Sequence, residues 1–98
     1  NFTMGEMAVV IQEILKCIRL FLDGESTKED AYRFSTEMKA FLEDAYPVLI
    51  KVEDADKAKQ LMRSLPEICG EYKEGGDVEG FREKVREEYD RLLEAIGC

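Results

Sequence analysis

Apolar residues open the chain at the i, i+3, i+4, i+7 spacing of an amphipathic helix: Met7, Val10, Ile11, Ile14, Cys17, Ile18, Phe21 and Leu22. Thr3 and Glu6 stand at capping-box spacing ahead of this stripe, with Phe2 and Met7 where a hydrophobic staple would close. Gly24 follows the last apolar residue, where a left-handed C-terminal cap is expected. All eight stripe positions, Cys17 included, are therefore read as core.

A second stripe, Ala31, Phe34, Met38, Phe41, Leu42 and Ala45, predicts a second helix. Its start offers two caps, Ser26 with Glu29 and Thr27 with Asp30. Glu29 and Arg33 are expected to pair at i, i+4. Pro47 disfavours helix at Tyr46, so the element is expected to end or kink there, and Pro47 to Lys51 could form one further turn. The short link between the first two helices favours an antiparallel hairpin. Glu53, Asp54 and Asp56 would cap a third, shorter helix carrying Ala55, Ala58, Leu61, Met62 and Leu65, running to about Ser64 and closed by Pro66. Glu67 to Gly76 holds Ile68, Cys69 and Tyr72 but also Gly70, Gly75 and Gly76, and is read as a turn and connector. A last helix begins after Asp77 as N-cap, carries Val78, Phe81, Val85, Tyr89, Leu92 and Ile96, and ends at Gly97, with Glu87 and Arg91 as an i, i+4 pair. No segment alternates with period two, and there is no internal repeat. The expected fold is all-α: an antiparallel four-helix bundle with an irregular, acidic connector before the last helix.

Length changes this picture little, since 98 residues fit one domain spanning the whole chain. The sequence is 45% hydrophobic and 37% charged, enough for a core and a well-solvated exterior. A net charge of −8 with no cluster of Lys or Arg argues against nucleic acid as a partner. It favours basic protein partners through long-range steering, although solubility alone also explains an acidic surface. Cys17, Cys69 and Cys98 are odd in number and widely spaced, which leads us to expect reduced thiols and a cytoplasmic setting. The apolar run from Ala8 to Leu22 is broken by Glu13, Lys16 and Arg19 and is too short to span a bilayer, so neither a membrane partner nor a signal peptide is expected. The chain does not open with Met, and Asn1 to Thr3 would fit a tag remnant or processing.

Candidate chemistry is sparse. The chain has no His, the commonest general base and transition-metal ligand. Three dispersed thiols do not form a zinc site, and Gly75 and Gly76 match neither a P-loop nor a dinucleotide fingerprint. Asp54 and Asp56 resemble the first ligands of a calcium loop, but its later ligands are missing. No catalytic residue, metal or cofactor is expected, and an enzyme would have to rest on a carboxylate pair.

Charge distribution says more. Residues 66–80 carry Glu67, Glu71, Glu74, Asp77 and Glu79 against Lys73 alone, which is half of the net −8. Tyr72 lies among them. Tyrosine supplies contact area at low entropic cost and acids pair with Arg or Lys, so these six residues form the candidate partner-binding surface. They equally fit a solvated connector whose acids cap the last helix while Tyr72 packs on the bundle. A second cluster, Glu43, Asp44, Glu53, Asp54 and Asp56, reads better as helix capping.

The stretch IRLFLDGESTKEDAYRFSTEMKAFLEDAYP, from Ile18 to Pro47, resembles the opening of small bacterial immunity proteins of the colicin D immunity type. These pair an apolar helix ending in a Leu-x-Gly-Glu turn with a capped, Phe-rich second helix. LPEICGEYKEGGDVEGFREKVREEYDRLL, from Leu65 to Leu93, is similar to that family's bend, tyrosine, acidic loop and closing amphipathic helix. Together the two stretches cover well over half the chain. The resemblance implies a helical inhibitor of a co-produced toxin, typically a tRNA-cleaving nuclease domain, in a bacterial cytosol. Its carboxylates would stand in for phosphates in the toxin's basic cleft. It transfers no contact residues, so the six named above rest on this chain's own charge pattern. A helical interaction or oligomerisation module without catalytic activity is the alternative, and self-association stays open.

Overall fold

The computed structural model describes residues 4–49 and 56–95, with side chains at 9–46 and 63–94. The described residues form four α-helices and no strand: α1 (Met4–Asp23), α2 (Lys28–Leu49), α3 (Asp56–Glu71) and α4 (Val78–Ala95). The expected features at Thr3, Phe2, Glu53, Asp54, Ala55, Ile96, Gly97 and Cys98, and the side-chain roles of Met7, Ala58, Leu61 and Met62, lie outside these residues.

One face of each helix meets in a common core. Ile14, Ile18, Phe21 and Leu22 come from α1, Ala31, Met38 and Leu42 from α2, Leu65 and Cys69 from α3, and Phe81, Val85 and Leu92 from α4. Each large aliphatic side chain buried there contributes about 1.5–3 kcal/mol by leaving water. α2 packs closely on α3 and α3 on α4, while α1 meets α4 and α2 over much less of its length. Two stripe residues miss the core as a result. Cys17 and Phe41, expected inside, are exposed, because the sparse α1–α2 contact leaves the flank between them open.

Pro66 does not close the third helix as expected, and at Pro47, where an end, a kink or one further turn is expected, the helix continues. α3 passes through Pro66 to Glu71, and α2 passes Pro47 to Leu49. Mid-helix proline forfeits a backbone hydrogen bond at a cost of about 3 kcal/mol. In α3 the next turn buries Cys69 (3% exposed) and packs Ile68 on the core, which offsets that cost. Near Pro47, Tyr46 is held from α3, where Arg63 Nε donates to its hydroxyl at 2.6 Å.

Local capping is more specific than expected in one place and different in another. At α2, Thr27 and Asp30 form the box: Asp30 N–H donates to Thr27 Oγ1 (3.1 Å) and Thr27 N–H to Asp30 Oδ2 (3.2 Å). Gly24 does not adopt the left-handed conformation expected of it; among the described residues the positive-φ glycine is Gly75, at 78°. The end of α1 is closed instead by Arg82 of α4. Its Nη1 donates to Phe21 O (3.1 Å), Gly24 O (2.8 Å) and Ser26 Oγ (3.3 Å), and its Nη2 to Leu22 O (2.5 Å). Orphaned carbonyls at a helix C-terminus carry partial negative charge, which a guanidinium fork satisfies.

Ion pairs also fall one residue from expectation. Arg33 pairs with Asp30 at 3.8 Å rather than Glu29, since the Thr27 cap already holds Asp30 in the first turn. Arg91 pairs with Glu88 rather than Glu87. Glu88 is 5% exposed, and a buried carboxylate needs a counter-charge that Glu87 can replace with water.

Candidate functional site

An aromatic cluster holds one end of the molecule together. Phe21 stacks on Phe34 (centroids 4.2 Å apart, planes 6° apart), Phe81 packs against both, and Tyr72 stacks on Phe81 at 4.5 Å. Offset aromatic pairs of this kind are worth about 0.5–1.5 kcal/mol each beyond their burial. Here the end of α1, the start of α2, the start of α4 and the α3–α4 connector converge. Lys28 Nζ adds a tie by donating to Gly75 O at 3.1 Å.

The six candidate residues surround this end but do not form one patch. Glu67 and Glu71 are exposed one turn apart on α3, so the expected connector is shorter: 72–77 only. Tyr72, Glu74 and Asp77 lie on it. Glu79 is exposed in the first turn of α4. Glu71, Tyr72 and Asp77 meet around an open hollow of about 350 Å3, which Lys73 and Lys84 also line. Glu74 turns the other way, into a cleft of about 500 Å3 beside Lys28, Tyr32, Arg33 and Glu37 of α2. Glu67 and Glu79 line neither.

Electrostatics refine this further. Lys84 Nζ stands 3.8 Å from Glu71, an exposed pair worth at most about 1 kcal/mol, yet enough to dilute the local negative potential. Asp77 precedes Val78 as the expected N-cap: its carbonyl accepts from Phe81 N–H at 3.1 Å. Its carboxylate lies over Gly80, where an added Cβ would come within 2.6 Å of Oδ2. Gly76 is similarly confined, with Lys73 O 2.9 Å from a built Cβ.

Tyr72 is half-buried, one ring face on Phe81, its hydroxyl donating to Gly76 O at 3.4 Å. Desolvation, and then the Asp77 charge, raise its phenol above the ordinary value. Burial pushes the Cys69 thiol up to about 12, against a smaller lowering by Lys39. Both shifts favour the protonated form, whereas nucleophilic or general-base work at neutral pH requires the pKa to be lowered. Among the described residues, no group of three or more His, Cys, Asp or Glu is placed to hold a metal ion. No helix among them is long and apolar enough to cross a membrane.

Two features lie outside the expectations that residue spacing and composition set. Lys84, one turn past the acidic stretch on α4, folds back onto Glu71. The second is an apolar groove between α1 and α2, lined by Ile14, Cys17, Phe34, Met38 and Phe41 with Glu13 and Glu37. A signal for it was present: Val9, Glu13, Cys17 and Leu20 recur at helical spacing just beside the core stripe. No family model, curated protein or solved structure matches the chain.

Proposed function

We propose that this chain is a non-catalytic inhibitor of the immunity type, capturing a cationic nuclease toxin domain in the cytosol and covering its substrate cleft. The carrying observation is the set of exposed carboxylates around the α3–α4 corner. Glu67, Glu71, Glu74, Asp77 and Glu79 all face solvent about a half-buried tyrosine, on a chain of net charge −8. Such a field accelerates encounter with a basic surface. Glu74, Asp77, Glu67 and Glu79 carry most of the contact in this reading, because Glu71 is shared with Lys84 and Tyr72 offers only its free edge.

The reading takes the four helices as an antiparallel bundle. Two observations support it: Arg82 near the start of α4 holds the end of α1, and Lys84 reaches back to Glu71 at the end of α3.

The test is association with a basic nuclease domain encoded beside this chain, measured by stopped flow. Reversing Glu67, Glu71, Glu74 and Asp77 to Lys lowers the on-rate at least about tenfold at low salt, with the difference closing at high salt. An unchanged low-salt on-rate removes the corner from the interface. A second reading, a helical interaction module without a toxin partner, draws on exposed Val9, Leu20 and Phe41. A stable homo-oligomer in light scattering would favour it.

A further inference from the structure

The α1–α2 groove has the features of a binding surface distinct from the acidic corner. Its floor is apolar: Ile14 and Cys17 come from α1, and Phe34, Met38 and Phe41 from α2, around an open hollow of about 310 Å3. The two backbones approach sparsely, so the helices do not close it themselves. Phe41 is 43% exposed at its mouth. On the same flank of α1, Val9 (58%) and Leu20 (67%) extend the apolar surface beyond the groove. Val9, Glu13, Cys17 and Leu20 follow one another at four-, four- and three-residue steps, which places them in line along the helix.

Among the described residues, the two charged side chains lining the groove are acidic, and they stand on opposite walls: Glu13 on α1 and Glu37 on α2. Lys16 lies outside the groove, past the line of Val9 and Leu20. From this arrangement we propose that the groove docks a short amphipathic helix of a partner protein, with apolar anchors down its centre and Lys or Arg on both flanks.

Length and chemistry both fit that occupant. From Phe34 to Phe41 the groove's α2 wall measures about 10 Å at 1.5 Å per residue, about two helical turns, enough for anchors at i, i+3 or i+4, and i+7. Met38 and Cys17 are soft, adaptable contacts for such anchors. A second copy of this acidic chain is the poorer occupant, because a symmetric contact would bring Glu13 and Glu37 towards their own kind. The groove does not depend on the acidic corner, although Glu37 also lines the cleft leading to Glu74.

The probe is a fluorescein-labelled sixteen-residue helical peptide with Leu at the anchor positions and Lys on both flanks, with a twin carrying Glu in place of Lys. Anisotropy is read at low salt against the full chain. The basic peptide binds with a dissociation constant of about 1–50 μM, and the acidic twin shows no saturation. Phe41→Ser and the surface double variant Glu13→Lys/Glu37→Lys each weaken binding at least about tenfold, while Glu67→Lys/Glu79→Lys at the corner changes it less than about threefold. Helical circular dichroism confirms folding; should Phe41→Ser unfold, the surface double variant decides alone. The proposal is overturned by absent binding of the basic peptide, by equal binding of the twin, by loss only in the corner variant, or by a homodimer in sedimentation that Phe41→Ser dissolves.

Discussion

Replacing Arg82 with Ala removes the clamp that joins α4 to the end of α1, and its cost follows from the bonds it makes. The guanidinium donates to three backbone carbonyls and one hydroxyl at 2.5–3.3 Å. It also lies 5.6 Å from the Phe21 ring centroid. A hydrogen bond from a charged donor contributes about 1.5–3 kcal/mol where the acceptor cannot regain water. Here the bonds to Phe21 O and Leu22 O are part-buried, whereas that to Gly24 O is exposed and recovers water readily. The last turn of α1 has no basic residue of its own, so the variant also loses a favourable interaction with the helix dipole, about 0.3–1 kcal/mol. Because the Phe21 and Leu22 carbonyls are only part-buried and regain some water, the pair counts as about one such bond at roughly 1.5–2 kcal/mol, and with the dipole a total of about 2–3 kcal/mol is expected. At about 4–8 °C per kcal/mol for a domain this size, the melting temperature falls by roughly 8–24 °C. Urea unfolding followed by helical circular dichroism reads the change directly. Arg82→Lys keeps the charge but not the fork, and should recover at most about half of the loss. An Arg82→Ala midpoint within error of the parent chain would refute the clamp as an energetic feature. Full recovery by Lys would show that only charge matters.

Cys69 makes stability depend on alkaline pH. Its folded pKa is raised from 9.0 to about 12 by burial, so the unfolded chain releases the thiol proton first. The thiol's contribution is complete below pH 9, declines as pH rises through that value, and is gone near 12, with a slope approaching about 1.4 kcal/mol per pH unit. Urea titrations at pH 8 and 10.5 should show the parent losing more stability than Cys69→Ala, and equal losses would contradict the assignment. In a Cys98→Ser background, one thiol, Cys17, should react with Ellman's reagent in the native chain, and Cys69 only with unfolding. Gly70 sits inside α3 with the flexible end of the Lys39 side chain nearest a built Cβ, Cε at 3.5 Å and the ammonium Nζ at 3.7 Å. Gly70→Ala should therefore stabilise the chain by about 0.5–1 kcal/mol, and a lowered melting temperature would show that Lys39 cannot yield.

The helices were legible because burial follows periodicity. Ile14, Ile18, Leu42, Val85 and Leu92 are each at most 2% exposed, and all sit on stripes readable from spacing alone. Two kinds of information were not. Proline rules are local, whereas the burial of Cys69 that carries α3 past Pro66 is set by neighbouring helices. A stripe gives a helix's apolar side but not how closely the next helix approaches, so periodicity predicts Cys17 and Phe41 inside while the α1–α2 spacing leaves them out. The candidate site followed the same division. Its acids and Tyr72 could be read from composition, while their separation into two hollows, and the return of Lys84, depend on the connector's path.

The clamp at the end of α1 also bears on which substitutions the chain can absorb. Arg82 grips Phe21, Leu22 and Gly24 by their main-chain oxygens, which every amino acid supplies, and meets side chains at Ser26 Oγ and at the Phe21 ring. Leu22 and Gly24 are thus free to vary as far as the clamp is concerned, within whatever packing asks of Leu22, whereas Phe21 also offers its ring to the guanidinium. Arg82 has no such freedom, since no other side chain offers a charged, planar fork. Mutational tolerance at this joint is one-sided: broad along the strand of chain being held, and narrow at the single position that holds it.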